Sequence, residues 1–72
     1  MSLANVECGK KVTIISMKMD RAFEERLAAL GIFPGAQVEV VRNSRGEMIL
    51  GYLDSRFALG RELTKSIEVC VA

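Results

Sequence analysis

Hydrophobic and polar residues alternate along several short segments of the chain, which is the pattern of half-buried β-strands. Val38 and Val40 alternate with polar neighbours, and Ile67, Val69 and Val71 repeat this spacing near the end of the sequence. Other segments are rich in β-branched residues and lie between turn-forming residues, which is also typical of strands. Together the patterns predict five strands, over residues 11–16, 37–42, 47–53, 56–59 and 67–71. The first strand is apolar on both faces, so we expect it to be buried on both sides.

One segment repeats its hydrophobic residues with the period of an α-helix. Phe23, Leu27 and Leu30 are spaced i, i+4 and i+7, which places them on one face of a helix predicted over residues 21–30. Asp20 directly precedes this helix, and its carboxylate can accept the free N–H groups of the first turn. The sequence therefore predicts one amphipathic helix between the first two strands.

Two glycines follow the helix at positions where a positive φ is expected. Gly31 lies where a left-handed residue commonly ends a helix, and in a Schellman motif this brings Leu27 against Ile32. Pro34 and Gly35 are the central residues of a predicted type II turn, because proline presets φ at the second position and glycine permits a positive φ at the third.

The other connections are short and polar. Turns predicted over residues 43–46 and 54–55 join successive strands into hairpins, and residues 60–65 predict a short helical turn before the last strand. Gly51 interrupts the third strand, which indicates a bulge or a bend. Five strands and one helix in this order predict a small, partly open β-barrel. No element is predicted before residue 11, and Met1 to Leu3 are given no structural role.

Composition and charge limit the function classes. The chain has 72 residues, of which 50% are hydrophobic, and its net charge is +1. This length predicts a single domain over residues 1–72 with a small core. The charge balance argues against nucleic-acid binding. No signal peptide and no apolar run of the roughly 20 residues needed to cross a bilayer is present, so we expect no direct membrane insertion.

The two cysteines, Cys8 and Cys70, allow two interpretations. Free thiols are expected in a chain without a secretory signal, and free cysteines are usually buried as small hydrophobic residues. Alternatively, the two ends of the chain meet, and the thiols form a disulfide or part of a metal site. Two thiolates without histidine make a poor zinc site, because structural zinc takes four nitrogen or sulfur ligands.

The sequence offers little for catalysis or for a resident metal. It contains no histidine and no phosphate-binding glycine-rich loop, so we expect no enzymatic activity and no cofactor. Glu24 and Glu25 are adjacent on the helix and do not converge on one point, and Met17 and Met19 are more typical of packing. No metal-ligating residues are assigned.

Four arginines lie near predicted turns, namely Arg42, Arg45, Arg56 and Arg61. An arginine supplied in trans to a GTPase stabilises the charge that develops on the transferred phosphoryl group. The alternative is that these side chains are solvated and cover apolar surface with their aliphatic stems. The sequence does not distinguish one arginine from the others.

The order and spacing of two segments, RLAALGIFPGAQVEVV over residues 26–41 and SRFALGRELTKSIEV over residues 55–69, resemble the FeoA family (ferrous iron transport protein A). The same domain occurs at the C-terminus of some iron- and manganese-dependent repressors. The resemblance covers residues 8–71. The chain departs from the family pattern at Glu47, Asp54 and Thr64, where proline, glycine and alanine are common, and these departures affect the detail of the turns.

This resemblance implies an SH3-like β-barrel with a helix after the first strand. It also implies a non-enzymatic, cytoplasmic accessory protein of the Feo ferrous iron uptake system, associated with the membrane through its partner. That partner is the FeoB permease, which carries a cytoplasmic GTP-binding domain. The alternative is the barrel domain of a metal-dependent transcriptional regulator, although the chain has no predicted helix-turn-helix segment and no basic face.

Phe33 has no role that the local pattern assigns. It occupies the first position of the predicted type II turn, where a polar residue is common. In one interpretation Phe33 folds back over the end of the barrel and covers the core. In the other, Leu30, Phe33 and Pro34 form the contact to the permease or to a second copy of the chain, because aromatic residues are enriched at interfaces.

Overall fold

The computed structural model describes residues 1–45 and 47–71, and these residues form a five-stranded antiparallel sheet with two helices. The strands follow the order β4-β3-β2-β1-β5 across the sheet. Their bounds are β1 (Lys11–Met17), β2 (Gln37–Ser44), β3 (Glu47–Tyr52), β4 (Ser55–Leu59) and β5 (Ile67–Val71). Helix α1 (Arg21–Ala29) lies between β1 and β2, helix α2 (Arg61–Lys65) precedes β5, and a 3₁₀ turn spans Leu3–Asn5. The predicted mainly β fold, with one helix after the first strand and a short helix before the last, is confirmed.

Two hairpins differ in detail from the sequence prediction. Asn43 and Ser44 extend β2, so the predicted turn over residues 43–46 begins later, and Gly46 lies outside the described residues. Ser55 pairs with Tyr52 in the β3–β4 ladder, so the turn between these strands is Leu53–Asp54. The prediction that placed Leu53 in the strand was wrong, because Leu53 adopts a positive φ of 54° that a strand does not allow.

The bulge expected near Gly51 occurs on the facing strand. The β2–β3 register shifts between Val40 and Arg42, which makes Val41 the extra residue. A Cβ atom on Gly51 would lie 3.2 Å from Cγ2 of Val41. The missing side chain therefore leaves room for the bulged residue, and the prediction was right about a local irregularity but wrong about which strand carries it.

Burial of β1 on both sides was also a wrong prediction. Val12, Ile14 and Met17 are buried, whereas Ile15 is 54% exposed. The register with β5 shifts between Ile14 and Ser16, so the strand carries a bulge at this point. The extra residue moves the alternation by one position, so Met17 and not Ser16 returns to the core. Ile15 faces away from the core because it directly follows the buried Ile14 on the strand.

The first residues of the chain belong to the core, although the sequence pattern assigned no structural role to Met1 to Leu3. Leu3 is fully buried and Val6 nearly so. The Met1 amino group donates to the Val69 carbonyl at 3.1 Å, and the Val69 N–H donates to the Met1 carbonyl at 2.8 Å. Asn43 Nδ2 also donates to the Val6 carbonyl at 2.7 Å. A segment this short has no periodicity, so its burial could not be predicted.

One apolar cluster fills the interior of the curved sheet. It contains side chains from all five strands, the N-terminal turn and the end of α1. Its buried members are Leu3, Val6, Val12, Ile14, Met17, Leu27, Ile32, Ala36, Val38, Val40, Met48, Leu50, Leu59, Ile67 and Val69. Leu27 is the buried residue of α1, so the helix touches the core near its C-terminal end.

Candidate partner-binding surface

The C-terminal end of α1 is fixed by a Schellman motif. The Ile32 N–H donates to the Leu27 carbonyl at 2.8 Å, and the Gly31 N–H donates to the Ala28 carbonyl at 3.0 Å. Gly31 has a φ of 96°. These are the two bonds and the left-handed residue that define the motif. The predicted helix ending is confirmed, with Leu30 as the C-cap residue and both Leu27 and Ile32 buried.

The N-terminal end of α1 is also capped as predicted. Oδ1 of Asp20 accepts a hydrogen bond from the Phe23 N–H at 3.1 Å. Arg21 and Glu25 form an exposed i,i+4 ion pair at 3.7 Å. The helix is therefore defined at both ends by local bonds, although few of its side chains reach the core.

The turn after the helix is tied to β1. The Ala36 N–H donates to the Phe33 carbonyl at 3.0 Å and Gly35 has a φ of 96°, which confirms the predicted type II turn. The Gly35 N–H donates to the Ile14 carbonyl at 2.7 Å, and the Ile14 N–H donates to the Ala36 carbonyl at 2.9 Å. These bonds anchor the turn to a central strand, so its backbone has little freedom.

Leu30, Phe33 and Pro34 are exposed on this anchored segment, and we call them the apolar turn surface. Leu30 is 45% exposed and Phe33 is 40% exposed. Phe33 is therefore accessible at the surface, and its role as a contact stays a prediction. Phe23 of α1 is also partly exposed, and the Arg26 guanidinium lies 5.9 Å from the centroid of its ring. The helical face predicted from Phe23, Leu27 and Leu30 buries only Leu27.

The end of β3 packs against the same segment. A Cβ atom on Gly31 would lie 2.7 Å from Cδ2 of Tyr52, so the aromatic ring rests directly on the glycine. The next residue, Leu53, is 88% exposed and has a φ of 54°. Leucine rarely adopts this backbone conformation. The sequence carried no signal for this exposed residue, since an apolar side chain after Tyr52 is read as part of the strand.

The four arginines are all exposed, and the structure brings two of them together. Arg45 and Arg61 line one shallow hollow that Lys65 and Ser2 also line. Arg42 lines a separate hollow beside β3 and β4, and Arg56 lies on β4. The apolar turn surface lines neither hollow.

The two cysteines are free and exposed. Sγ of Cys8 donates to the carbonyl of Val41 in β2 at 3.1 Å. Cys70 lies on β5, which pairs with the opposite edge of β1, where Cys70 is the partner of Thr13. The expected burial of both thiols was wrong, and so was the alternative that joined them, because β1 separates β5 from β2.

The described residues contain no group of three or more histidine, cysteine, aspartate or glutamate side chains that could hold a metal ion. Glu24 and Glu25 are adjacent on α1 and lie outside any such group. Met17 is buried in the core and Met19 packs against it. The thioethers considered as ligands are therefore packing groups.

Comparison with protein families identifies the chain. The profile of the FeoA domain matches residues 1–71. The chain belongs to the FeoA family. No curated protein sequence gives a significant match.

Solved FeoA structures share the fold. An iron uptake regulatory protein (FeoA) crystal structure superimposes with a TM-score of 0.89 at 23% identity, covering 100% of this chain and 97% of that one. The FeoA protein from Chlorobium tepidum gives 0.88 at 22% identity, with 99% and 70% of the two chains covered. The iron(II) transport protein A from Clostridium thermocellum gives 0.86 at 22% identity, and the match spans 99% of this chain and 45% of that one.

At these identities the structural matches establish the fold and leave the partners of this FeoA-family chain open. Across residues 1–45 and 47–71, neither helix is long and apolar enough to span a membrane.

Proposed function

We propose that residues 1–72 form one non-enzymatic accessory domain of a ferrous iron uptake system. The domain acts in the cytoplasm by binding the GTP-binding domain of a FeoB-like permease, and the apolar turn surface makes the contact. Family membership supports the assignment to iron uptake, because FeoA-family proteins of known structure include an iron uptake regulatory protein and an iron(II) transport protein.

The observation that carries the proposal is an exposed apolar surface on a rigid support. Leu30 and Phe33 are each at least 40% exposed, and they belong to a helix ending and a turn that six backbone hydrogen bonds hold in place. The free energy of binding is weakened by the conformational entropy that side chains and loops lose when they become ordered on association. An aromatic and aliphatic surface that is already ordered loses little conformational entropy on binding. Aromatic residues commonly make the largest contributions to the binding free energy at interfaces.

The chemistry of the chain supports binding over catalysis. The sequence contains no histidine, and the described residues form no metal-ligating group. Ferrous ion prefers histidine and carboxylate ligands. We therefore propose that the domain has no resident cofactor and binds Fe²⁺ no more tightly than weakly micromolar. Anaerobic calorimetry that detects a tight, stoichiometric site would contradict this part of the proposal.

The alternative function is that of a barrel domain from a transcriptional regulator. Two features favour the permease over DNA. The net charge is +1, and three strands separate α1 from α2, so the two helices do not follow one another as in a helix-turn-helix. Binding to operator DNA therefore serves as the comparison arm of the experiment.

The experiment measures stability and binding on the same variants. Phe33→Ser removes the aromatic ring from the apolar turn surface, and Val71→Ser is the matched control because Val71 is a 56% exposed apolar residue on β5. Both proteins are titrated against the soluble GTP-binding domain by calorimetry, and their thermal unfolding is followed by circular dichroism.

We expect Phe33→Ser to unfold cooperatively with a loss below the roughly 3 kcal/mol of a fully buried phenylalanine, and to lose binding. Val71→Ser should keep binding. A destabilised Phe33→Ser protein with intact binding would exclude the apolar turn surface as the contact. Binding of the parent protein to operator DNA, without binding to the GTP-binding domain, would favour the regulator.

A further inference from the structure

The outer edge of β4 is an open sheet edge. β4 is the terminal strand of the sheet and pairs with β3 along all five of its residues. Within residues 1–45 and 47–71, no backbone bond joins β4 to an element on its other side. The opposite edge differs, because the Met1 backbone exchanges two hydrogen bonds with Val69 of β5. One edge of the sheet is therefore covered by the N-terminus, and the other is uncovered.

The turn geometry determines which backbone groups of β4 face outward. Leu53–Asp54 is a two-residue turn, so the flanking residues Tyr52 and Ser55 form a hydrogen-bonded pair. Hydrogen-bonded pairs alternate along an antiparallel ladder. Ser55, Phe57 and Leu59 thus direct their N–H and C=O groups at β3, and Arg56 and Ala58 direct theirs away from the sheet.

We infer that this edge binds the same edge of a second copy of the chain, as an antiparallel β4–β4 pair centred on Phe57. In that register Arg56 of each copy is opposite Ala58 of the other, and the two residues exchange both backbone bonds. Phe57 is opposite Phe57 as a non-hydrogen-bonded pair, in which side chains are closest. Four outward-facing N–H groups and four outward-facing C=O groups are then available for four bonds, and the arrangement has two-fold symmetry.

Several observations favour a second copy over a disordered peptide. The strand is only five residues long, so it offers few hydrogen bonds to a partner. The entropy cost of ordering a disordered peptide would offset much of the free energy of those bonds. A second copy brings a strand that is already ordered. Phe57 is half-buried against the core, so its exposed part supplies an aromatic pair at the centre. The net charge of +1 adds little long-range repulsion between two copies.

The side chains on the outer face set a limit on affinity. Arg56 and Ala58 are exposed, and Arg56 faces Gly51 on β3, which has no side chain to pair with it. The two Arg56 side chains lie on a diagonal of the proposed pair, within reach of each other. Their repulsion and the small number of bonds predict a weak dimer, with a dissociation constant on the order of 1 mM. This inference does not depend on the proposed function.

The first test removes an outward-facing donor. Ala58→Pro deletes the Ala58 N–H and places a ring at the edge, which edge strands tolerate when the N–H faces away from the sheet. Ala58→Ser is the matched control, because it keeps the N–H. Amide NMR spectra of the parent protein and of both variants are recorded up to about 2 mM, a range that spans the expected constant.

We expect concentration-dependent amide shifts at positions 56 and 58 in the parent protein and in Ala58→Ser. Ala58→Pro should weaken the association by about tenfold or more, because two of the four bonds are lost. A parent protein that stays monomeric over the whole range would overturn the inference. A dimer that Ala58→Pro leaves intact and Phe33→Ser abolishes would also overturn it, and would place the contact at the apolar turn surface.

A charge exchange provides a second test if Ala58→Pro fails to fold. Arg56→Glu keeps the backbone and reverses the charge on the diagonal. An equal mixture of the parent protein and Arg56→Glu should form more than the statistical share of mixed dimer, because Arg56 then lies near a glutamate. Sedimentation with one protein labelled measures this share. A purely statistical mixture would contradict the diagonal placement and with it the proposed register.

Discussion

The interior of the sheet and the segment from α1 to the following turn are built in opposite ways. In the sheet, every strand contributes side chains to the core, and residues such as Val40 and Leu50 have no exposed surface. In α1, only Leu27 is buried, and Phe23 of the helix and Leu30 and Phe33 beyond its end keep 40–45% of their surface exposed. The sheet is stabilised by burial of its side chains, whereas the helix ends on local backbone bonds and the turn after it is anchored by backbone bonds to Ile14 of β1. This difference leaves apolar side chains available at the surface without loss of order.

The largest expected change in the free energy of unfolding comes from a comparison of two leucines, one from each region. Leu50→Ala removes a fully buried side chain from β3 and should lower the free energy of unfolding by about 2–5 kcal/mol, from lost burial and the cavity left behind. Leu30→Ala removes a side chain that is 45% exposed and should cost clearly less. Urea denaturation measures both, and equal losses would show that the helix end is part of the core.

Alanine substitutions at two glycines distinguish destabilisation by a steric clash from destabilisation by backbone strain alone. Gly31→Ala and Gly35→Ala both place a side chain at a φ of 96°. A Cβ at Gly31 would also collide with the Tyr52 ring, whereas nothing lies within 4 Å of a Cβ at Gly35. We expect a loss of about 1 kcal/mol for Gly35→Ala and a larger loss for Gly31→Ala. Denaturation that ranks the two variants in the reverse order would contradict the Tyr52 contact.

Substitution of the N-cap residue Asp20 tests whether the local hydrogen bond at the start of α1 stabilises the helix. Asp20→Ala removes the acceptor for the Phe23 N–H and should lower the free energy of unfolding by about 1 kcal/mol. Asp20→Asn keeps an acceptor oxygen and is the matched control, with a smaller expected loss. If both variants unfold like the parent protein, the cap contributes nothing, and the helix must be held by Leu27 and by its Schellman ending.

The smallest effect is expected at the β3–β4 turn, and it is stabilising. Leu53 is 88% exposed, so its replacement removes little buried apolar surface. Its φ of 54° is a backbone conformation that asparagine tolerates better than leucine. Leu53→Asn should raise the free energy of unfolding by up to about 1 kcal/mol. Leu53→Val is the control, because a β-branched residue is even less suited to this φ and should destabilise the protein.

Prediction from sequence succeeded where the physical signal is local. The N-cap at Asp20, the Schellman ending at Gly31 and the type II turn at Pro34 depend on neighbours within a few residues, and all three were predicted. Leu30, Phe33 and Pro34 were selected from the same local pattern, and the structure places them on one anchored, exposed segment. Their role as a contact stays a prediction until binding is measured.

Prediction failed where burial depends on distant residues. Leu3 is buried because the N-terminal turn packs beside α2 and β5, and nothing near it in the sequence indicates this. Met17 is buried in place of Ser16 because a bulge against β5 moves the alternation, and Cys8 and Cys70 lie on opposite sides of β1 because of the strand order. None of these outcomes follows from hydrophobicity alone.

By itself, the sequence determined the five strands, the helix after β1 and the turn at Pro34–Gly35, because alternation, helical period and glycine or proline chemistry act over a few residues. The tertiary structure decided which apolar residues fill the core and which remain exposed, and which edge of the sheet is covered. Those properties depend on strand order, on bulges that shift register and on packing between segments far apart in the chain. The apolar turn surface and the open β4 edge therefore became visible only once the strands were placed side by side.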